Sequence, residues 1–210
     1  MPGFATDRLL SRTGRRFELG NYDNSNSTFA NPIRVWGYMA IGLERNLPHI
    51  ILTSRHNARR RRGIPVVVDR TQAMSLEGDF DRYFTLYAPT QYERDALYVF
   101  SPDLMALMID EVALFEVEII DDWIFFYSAT PFDLTSRRTL RRLFRIARIV
   151  GAKTFRQTDR YWDDREGASF AANEVGASGR RLRTRVSLVT VAVAVLWIAF
   201  QVFRIVSNLN

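Results

Sequence analysis

Residues 116–127 read EVEIIDDWIFFY, two runs rich in β-branched and aromatic residues on either side of a pair of aspartates. Such runs with a period of two residues are typical of β-strands. The stretch therefore predicts a β-hairpin in which Glu116–Ile120 pairs with Trp123–Tyr127. Asp121 and Asp122 would form its two-residue turn.

Similar patterns precede this hairpin. Residues 33–43 (IRVWGYMAIGL) and 48–53 (PHIILT) predict two further strands, joined by residues 44–47. Three shorter segments also have strand-like patterns: Pro65–Val68, Asp81–Ala88 and Ala96–Phe100.

Two helices are expected between and after these strands. Ser101, Pro102 and Asp103 are typical of a helix start, because serine caps and proline and aspartate suit the first turn. The apolar residues 104–114 would continue that helix. A second helix should begin near Thr135 or Ser136 and run to about Val150, or onward to Asp164. The order of elements predicts an α+β fold with a largely antiparallel sheet and two main helices.

The C-terminus predicts a transmembrane helix. Residues 186–203 read VSLVTVAVAVLWIAFQVF without a charge, which reaches the length of a membrane span. We expect the span to cover residues 186–206 and to leave a short tail over 207–210. A buried core helix is the alternative. The flanking residues are Arg180, Arg181, Arg183, Arg185 and Arg204.

Four of these five arginines precede the span, which predicts a cytoplasmic N-terminal domain by the positive-inside rule. We expect the domain to cover residues 17–166, after an N-terminal segment over 1–16. Residues 167–185 contain small residues, three glycines and then arginines, and they predict a flexible, then basic linker. The predicted topology is single-pass and tail-anchored, with the N-terminal domain on the cytoplasmic side.

Net charge says little about function. The formal charge of +6 arises from 29 basic and 23 acidic residues, and all five flanking arginines lie after residue 179. Residues 1–179 carry a net charge of only +1. The chain has no cysteine, which excludes thiol nucleophiles, disulfides and cysteine-ligated metals.

The second helix is strongly amphipathic. Its apolar residues, Leu140, Leu143, Phe144, Ile146, Ala147 and Val150, share one arc, and the opposite arc holds Arg137, Arg138, Arg141, Arg142, Arg145 and Arg148. These arginines could lie on anionic lipid headgroups. Alternatively the apolar arc covers the sheet, and the arginines are solvated or pair with residues 77–122, whose net charge is −10.

A second basic tract consists of Arg59, Arg60, Arg61 and Arg62. It could bind anionic lipid or nucleic acid, or it could be a solvated loop between strands. No aromatic residue interrupts the tract, which disfavours stacking on single-stranded nucleic acid.

No catalytic motif is evident. Several carboxylates could form a metal or acid–base site if the fold joined them: Glu77, Asp79, Asp81, Asp121 and Asp122. The only histidines, His49 and His56, are seven residues apart and match no metal or triad spacing. Asp163 and Asp164 are better explained as a charge cluster at a helix end. We therefore predict neither a cofactor nor catalytic residues.

Two dense stretches carry a family resemblance. LEGDFDRYF (76–84), YERDALY (92–98) and PDLMA (102–106), followed by VEIIDD (117–122), resemble a group of uncharacterised actinobacterial membrane-anchored proteins with a bacterial domain of unknown function. Residues 36–52 also fit that group, and the resemblance covers residues 17–165. It implies a bacterial, membrane-associated domain, which with the predicted span gives the bacterial inner membrane as the expected location, and it supplies no functional residue.

Together these features predict a binding or adaptor module, or an accessory subunit of a membrane complex, with a protein partner. A sensor of anionic lipid surfaces is the alternative, followed by a metal-dependent hydrolase.

Overall fold

Two long strands that pair with each other form the centre of the protein. A computed structural model describes residues 4–11, 14–24, 35–59, 68–76, 78–169 and 171–184. The strands are β1 (Phe4–Leu10), β2 (Phe17–Asp23), β3 (Val35–Ser54), β4 (Ala73–Met74), β5 (Phe84–Tyr87) and β6 (Phe115–Ser128). The helices are α1 (Arg55–Arg59), α2 (Glu93–Val99), α3 (Pro102–Val112), α4 (Arg137–Ile146) and α5 (Ala152–Thr158).

The predicted hairpin at Asp121–Asp122 is wrong. Residues 115–128 form one continuous strand, β6, that pairs antiparallel with β3 from Val117 to Ser128. β3 is likewise one strand of 20 residues where the sequence predicts two strands and a loop. In both cases the apparent loop is a bulge, since Gly42 pairs with Trp123 and Leu47 pairs with Asp121. Asp121 adopts a positive φ of 54°, which aspartate tolerates better than most residues.

Two further strands, β2 and β5, line the other edge of β3. β2 pairs with its first half and β5 with its second half, and the described pairings are all antiparallel. β1 extends this sheet beyond β2, so residues 4–10, placed by the sequence in a separate N-terminal segment, belong to the fold.

Helices cover one face of the sheet and bury an apolar core. The predicted helix starts are confirmed, because α3 begins at Pro102 and α4 at Arg137. The expected capping by Ser101 is wrong, since its side chain makes no capping hydrogen bond. A π-helical turn over 147–151 links α4 to α5. The strand-like pattern at Ala96–Phe100 is misleading, since Ala96 and Val99 are buried on α2. The protein is thus α+β with a largely antiparallel sheet, as predicted.

Residues 174–184 form a C-terminal strap that packs on the domain. Val175 and Leu182 are buried, and the backbone N–H of His49 donates to the carbonyl of Gly179 at 2.9 Å. Gln72 and the backbone of Arg183 exchange two hydrogen bonds, each 2.9 Å. The sequence predicts a flexible linker here, whereas the structure ties this part of it to the sheet.

Close packing, rather than flexibility, accounts for two glycines in the strap. A Cβ at Gly179 would lie 2.4 Å from the ring of Tyr92, and one at Gly176 would lie 2.8 Å from the Tyr92 hydroxyl. The backbone therefore approaches the ring as only glycine allows. The small residues that suggest flexibility in the sequence instead provide contact.

The predicted transmembrane helix over 186–206 lies outside the described residues, as do Arg185 and Arg204. Within the described part of the chain, no helix is long and apolar enough to cross a membrane.

Candidate functional site

Five arginines of α4, together with Arg148 of the π-helical turn, form an exposed surface, which we call the arginine face (Arg137, Arg138, Arg141, Arg142, Arg145 and Arg148). Ser136 caps the helix by accepting from the N–H of Thr139, and Leu143, Ile146 and Val150 anchor it in the core. Gly151 brings the following turn against Ile41, where a Cβ would lie 2.6 Å from Cδ1. The helix is therefore held in one rotation.

That rotation differs from the one the apolar pattern predicts. Phe144 points outward with 51% of its surface exposed, and Leu140 is only half-buried. The ring of Phe144 contacts that of Phe17 at a centroid distance of 5.7 Å. The buried arc is thus narrower than expected, which leaves apolar surface among the arginines.

The acidic stretch 77–122 neutralises little of the arginine face. Arg145 pairs with Glu111 at 2.6 Å, and the guanidinium of Arg142 lies 5.6 Å from the ring centroid of Phe115. Within the described residues, the other four arginines of the face make no ion pair: Arg137, Arg138, Arg141 and Arg148. Most of the charge therefore faces solvent.

A groove of about 420 Å³ runs along the arginine face. Its floor is Leu140 and Phe144, and its walls are Arg137, Arg141, Arg145 and Arg148. We call this the α4 groove.

A second groove, of about 430 Å³, lies between α2 and residues 160–165, and we call it the tryptophan groove. Two aromatic side chains in it are strongly exposed, Trp162 at 61% and Tyr98 at 43%. Arg94 and Arg160 line it as well. Surface aromatics beside arginines are typical of protein-binding sites.

A buried polar cluster fixes the base of the tryptophan groove. The guanidinium of Arg165 donates to Asp95 at 2.6 Å and to Asp163 at 2.8 Å, and it lies 3.9 Å from the ring centroid of Tyr92. The hydroxyl of Tyr92 donates to Asp163 at 2.7 Å and that of Tyr161 donates to Asp95 at 2.6 Å. We call these five residues the Arg165 cluster.

The pKa values in this cluster favour a charged, fully bonded state. Burial alone would raise the pKa of Asp163, but hydrogen bonds from Tyr92, Gly176 and Arg165 outweigh it and hold that pKa below its usual value. Burial, together with the bond to Asp163, raises the pKa of Tyr92 to about 12. The predicted charge cluster at Asp163 and Asp164 is therefore a structural ion pair at Asp163.

The two histidines lie in different settings. His56 is exposed on α1, whereas His49 is buried and bonds Glu118 through Nε2 at 2.8 Å. The N–H of Leu182 donates to Nδ1 of His49 at 3.0 Å, so in neutral His49 the ring proton lies on Nε2. His49 thus connects the sheet to the strap.

Glu116 is a buried carboxyl without a cationic partner among the described residues. It accepts from the N–H of Ser54 at 2.7 Å and from the side-chain amide of Asn57 at 3.2 Å. Burial raises its pKa to about 7, although both hydrogen bonds act in the opposite direction.

The candidate carboxylates are not brought together as a site. Asp121 pairs with Arg181, Asp122 with Arg16 and Asp79 with Arg82. Asp81 accepts from Ser75 and from the N–H of Leu76, and Glu77 lies outside the described residues. Among the described residues, no group of three or more histidines, aspartates or glutamates could hold a metal ion.

The other basic residues divide between the described and masked parts of the chain. Arg59 ends α1, while Arg60, Arg61 and Arg62 lie outside the described residues. In the strap, Arg180 donates to the carbonyl of Val175, and Arg181 forms two bonds to Asp121 at 2.8 and 3.0 Å. These two arginines therefore fix the strap before the apolar segment.

Comparisons with known proteins identify no relative: no family model, curated protein or solved structure matches the chain.

Proposed function

We propose that the chain is a membrane-anchored adaptor. In this proposal residues 186–206 span the bacterial inner membrane, and the α+β domain lies on the cytoplasmic side. The domain acts by binding a protein partner in the tryptophan groove rather than by catalysis.

The observation that carries this proposal is the exposure of Trp162 and Tyr98 above a fixed base. Large aromatic side chains lose little conformational entropy on binding, and they supply much of the energy of many protein interfaces. The Arg165 cluster holds the backbone of this groove in place, so a partner meets a preorganised surface. Arg94 and Arg160 add charge at the rim.

The strap supports the anchoring part of the proposal. Its packing extends to Arg183, whose carbonyl accepts from the N–H of Asp69 at 2.9 Å. The apolar sequence begins at Val186, only three residues later. A domain joined this closely to a span would hold its binding surfaces at a defined height above the bilayer.

The orientation can be tested by cysteine labelling, since the chain has no native cysteine. We expect Ser207→Cys to react with a membrane-impermeant maleimide added to cells with a permeabilised outer envelope but an intact inner membrane. Glu93→Cys, on exposed α2, should react only after the inner membrane is lysed. The reverse pattern would place the domain on the other side of the membrane.

The adaptor proposal predicts a partner that depends on Trp162. The intact protein, gently solubilised from its native membrane, should co-purify with one protein at near-equal stoichiometry. Trp162→Ala should weaken this complex about 30-fold, as expected for a central aromatic contact. The matched control is Leu114→Ala, which removes an exposed side chain (45%) outside both grooves. Equal recovery of the partner with both variants would refute the groove as its site.

A further inference from the structure

We infer that the α4 groove binds the headgroup of an anionic phospholipid, so that the arginine face lies on an anionic bilayer. This inference rests on the anchoring part of the proposed function, which brings the domain to the membrane. It is independent of the tryptophan groove and of any protein partner.

The charge of the groove favours a phosphate ligand. Four arginines line it, and within the described residues only Arg145 has an acidic partner, Glu111. A guanidinium can donate two parallel hydrogen bonds to phosphate oxygens. The groove therefore suits a phosphodiester better than a neutral ligand. Each arginine that lies near an anionic leaflet strengthens the binding of the domain to the membrane.

The floor of the groove favours a lipid over a soluble phosphate compound. Phe144 and Leu140 present apolar surface between the arginines, and Phe144 remains 51% exposed. The glycerol and upper acyl region of a phospholipid would cover this surface, as it does for helices that lie in the membrane interface. A soluble phosphate compound would leave it in water.

The groove is also rigid. Leu143, Ile146 and Val150 fix α4 from below, and the contact of Gly151 with Ile41 fixes its rotation. The arginine face is therefore preorganised, and lipid binding restricts only the arginine side chains.

The test uses the full chain in lipid nanodiscs, of phosphatidylcholine alone or with phosphatidylglycerol added. A single cysteine carrying an environment-sensitive fluorophore replaces Arg138, which is exposed beside the groove without lining it. The matched site is Arg94→Cys, an exposed arginine of α2. We expect the label at residue 138 to be shielded from an aqueous quencher only in the anionic discs and less so at high salt. The label at residue 94 should respond equally to both lipids.

Two double variants identify the residues responsible. Arg141→Gln with Arg148→Gln should lower the ratio of docked to undocked domain about fivefold per arginine. Arg70→Gln with Arg156→Gln removes the same charge from exposed positions outside the groove and should have little effect. Equal shielding in neutral and anionic discs, or equal losses in both double variants, would overturn the inference.

Failure of the anchoring is distinguishable from failure of the groove. If the chain does not co-elute with nanodiscs, the anchoring is wrong, and the same variants are compared for sedimentation with phosphatidylglycerol vesicles. Absence of salt-sensitive sedimentation of the wild-type chain would then refute the groove as well.

Discussion

Replacing Arg165 with alanine is expected to lower the free energy of unfolding by about 3 kcal/mol or more. The change removes the cation from between Asp163, whose side chain is fully buried, and Asp95, which is 9% exposed. Both carboxylates would then be buried without a counter-ion. Urea denaturation of the full chain in mild detergent, monitored by tryptophan fluorescence, measures the loss of stability.

Two further variants separate charge from geometry. Arg165→Lys keeps the cation but loses the forked bonds to Asp95 and Asp163, so we expect a loss between wild type and alanine. Arg160→Ala removes an exposed arginine of the same loop and should change stability by less than about 0.5 kcal/mol. If Arg165→Ala is no more destabilising than Arg160→Ala, the cluster does not stabilise the domain.

Local sequence patterns predict which segments are extended or helical, but not how far each extends. The supposed hairpin at 116–127 and the supposed pair of strands at 33–53 both have strand-like runs separated by polar residues, which is also the pattern of a bulged strand. The pairing strand distinguishes a bulged strand from a hairpin. Here the break in β3 at residues 43–46 lies opposite the break in β6 at Asp122, so both strands continue past it. Pairing over such a distance in sequence leaves no local signal.

The candidate site is only partly encoded in recognisable patterns. The spacing of arginines on α4 predicts a charged face, because it depends on helical periodicity alone. The outward position of Phe144 is a matter of tertiary packing, because Leu143, Ile146 and Val150 are the residues buried against the core while Phe144 is 51% exposed. Trp162 lies in an irregular segment where no periodicity indicates exposure, so the tryptophan groove could not be predicted. Gly176 and Gly179 mark the close approach to Tyr92, although the same residues suggest flexibility when read alone.

Stability is expected to fall as pH rises from 5 to 8 because of Glu116. Its pKa is about 7 in the folded protein and 4.5 ordinarily, so the folded state holds a proton that the unfolded state has released. This contribution is fully present below about pH 4.5 and is lost as pH rises through 7. For such a shift, linkage gives a loss of about 2.5 kcal/mol between pH 5 and pH 8. The free energy of unfolding across this range measures it.

The contribution of Glu116 is isolated by comparing slopes. Glu116→Gln cannot ionise, so its unfolding free energy should fall less steeply over the same range than that of the wild type. The substitution also exchanges one acceptor for a donor facing Asn57. This change in hydrogen bonding shifts the free energy of unfolding by the same amount at every pH, so it does not affect the comparison of slopes. Glu93→Gln, at an exposed position of α2, should retain the wild-type slope. Carboxyls whose pKa is lowered, such as those of Glu118 and Asp163, lose their contribution only as pH falls below about 4.5. A slope for Glu116→Gln as steep as that of the wild type would therefore mean that Glu116 is ionised in the folded protein throughout this range.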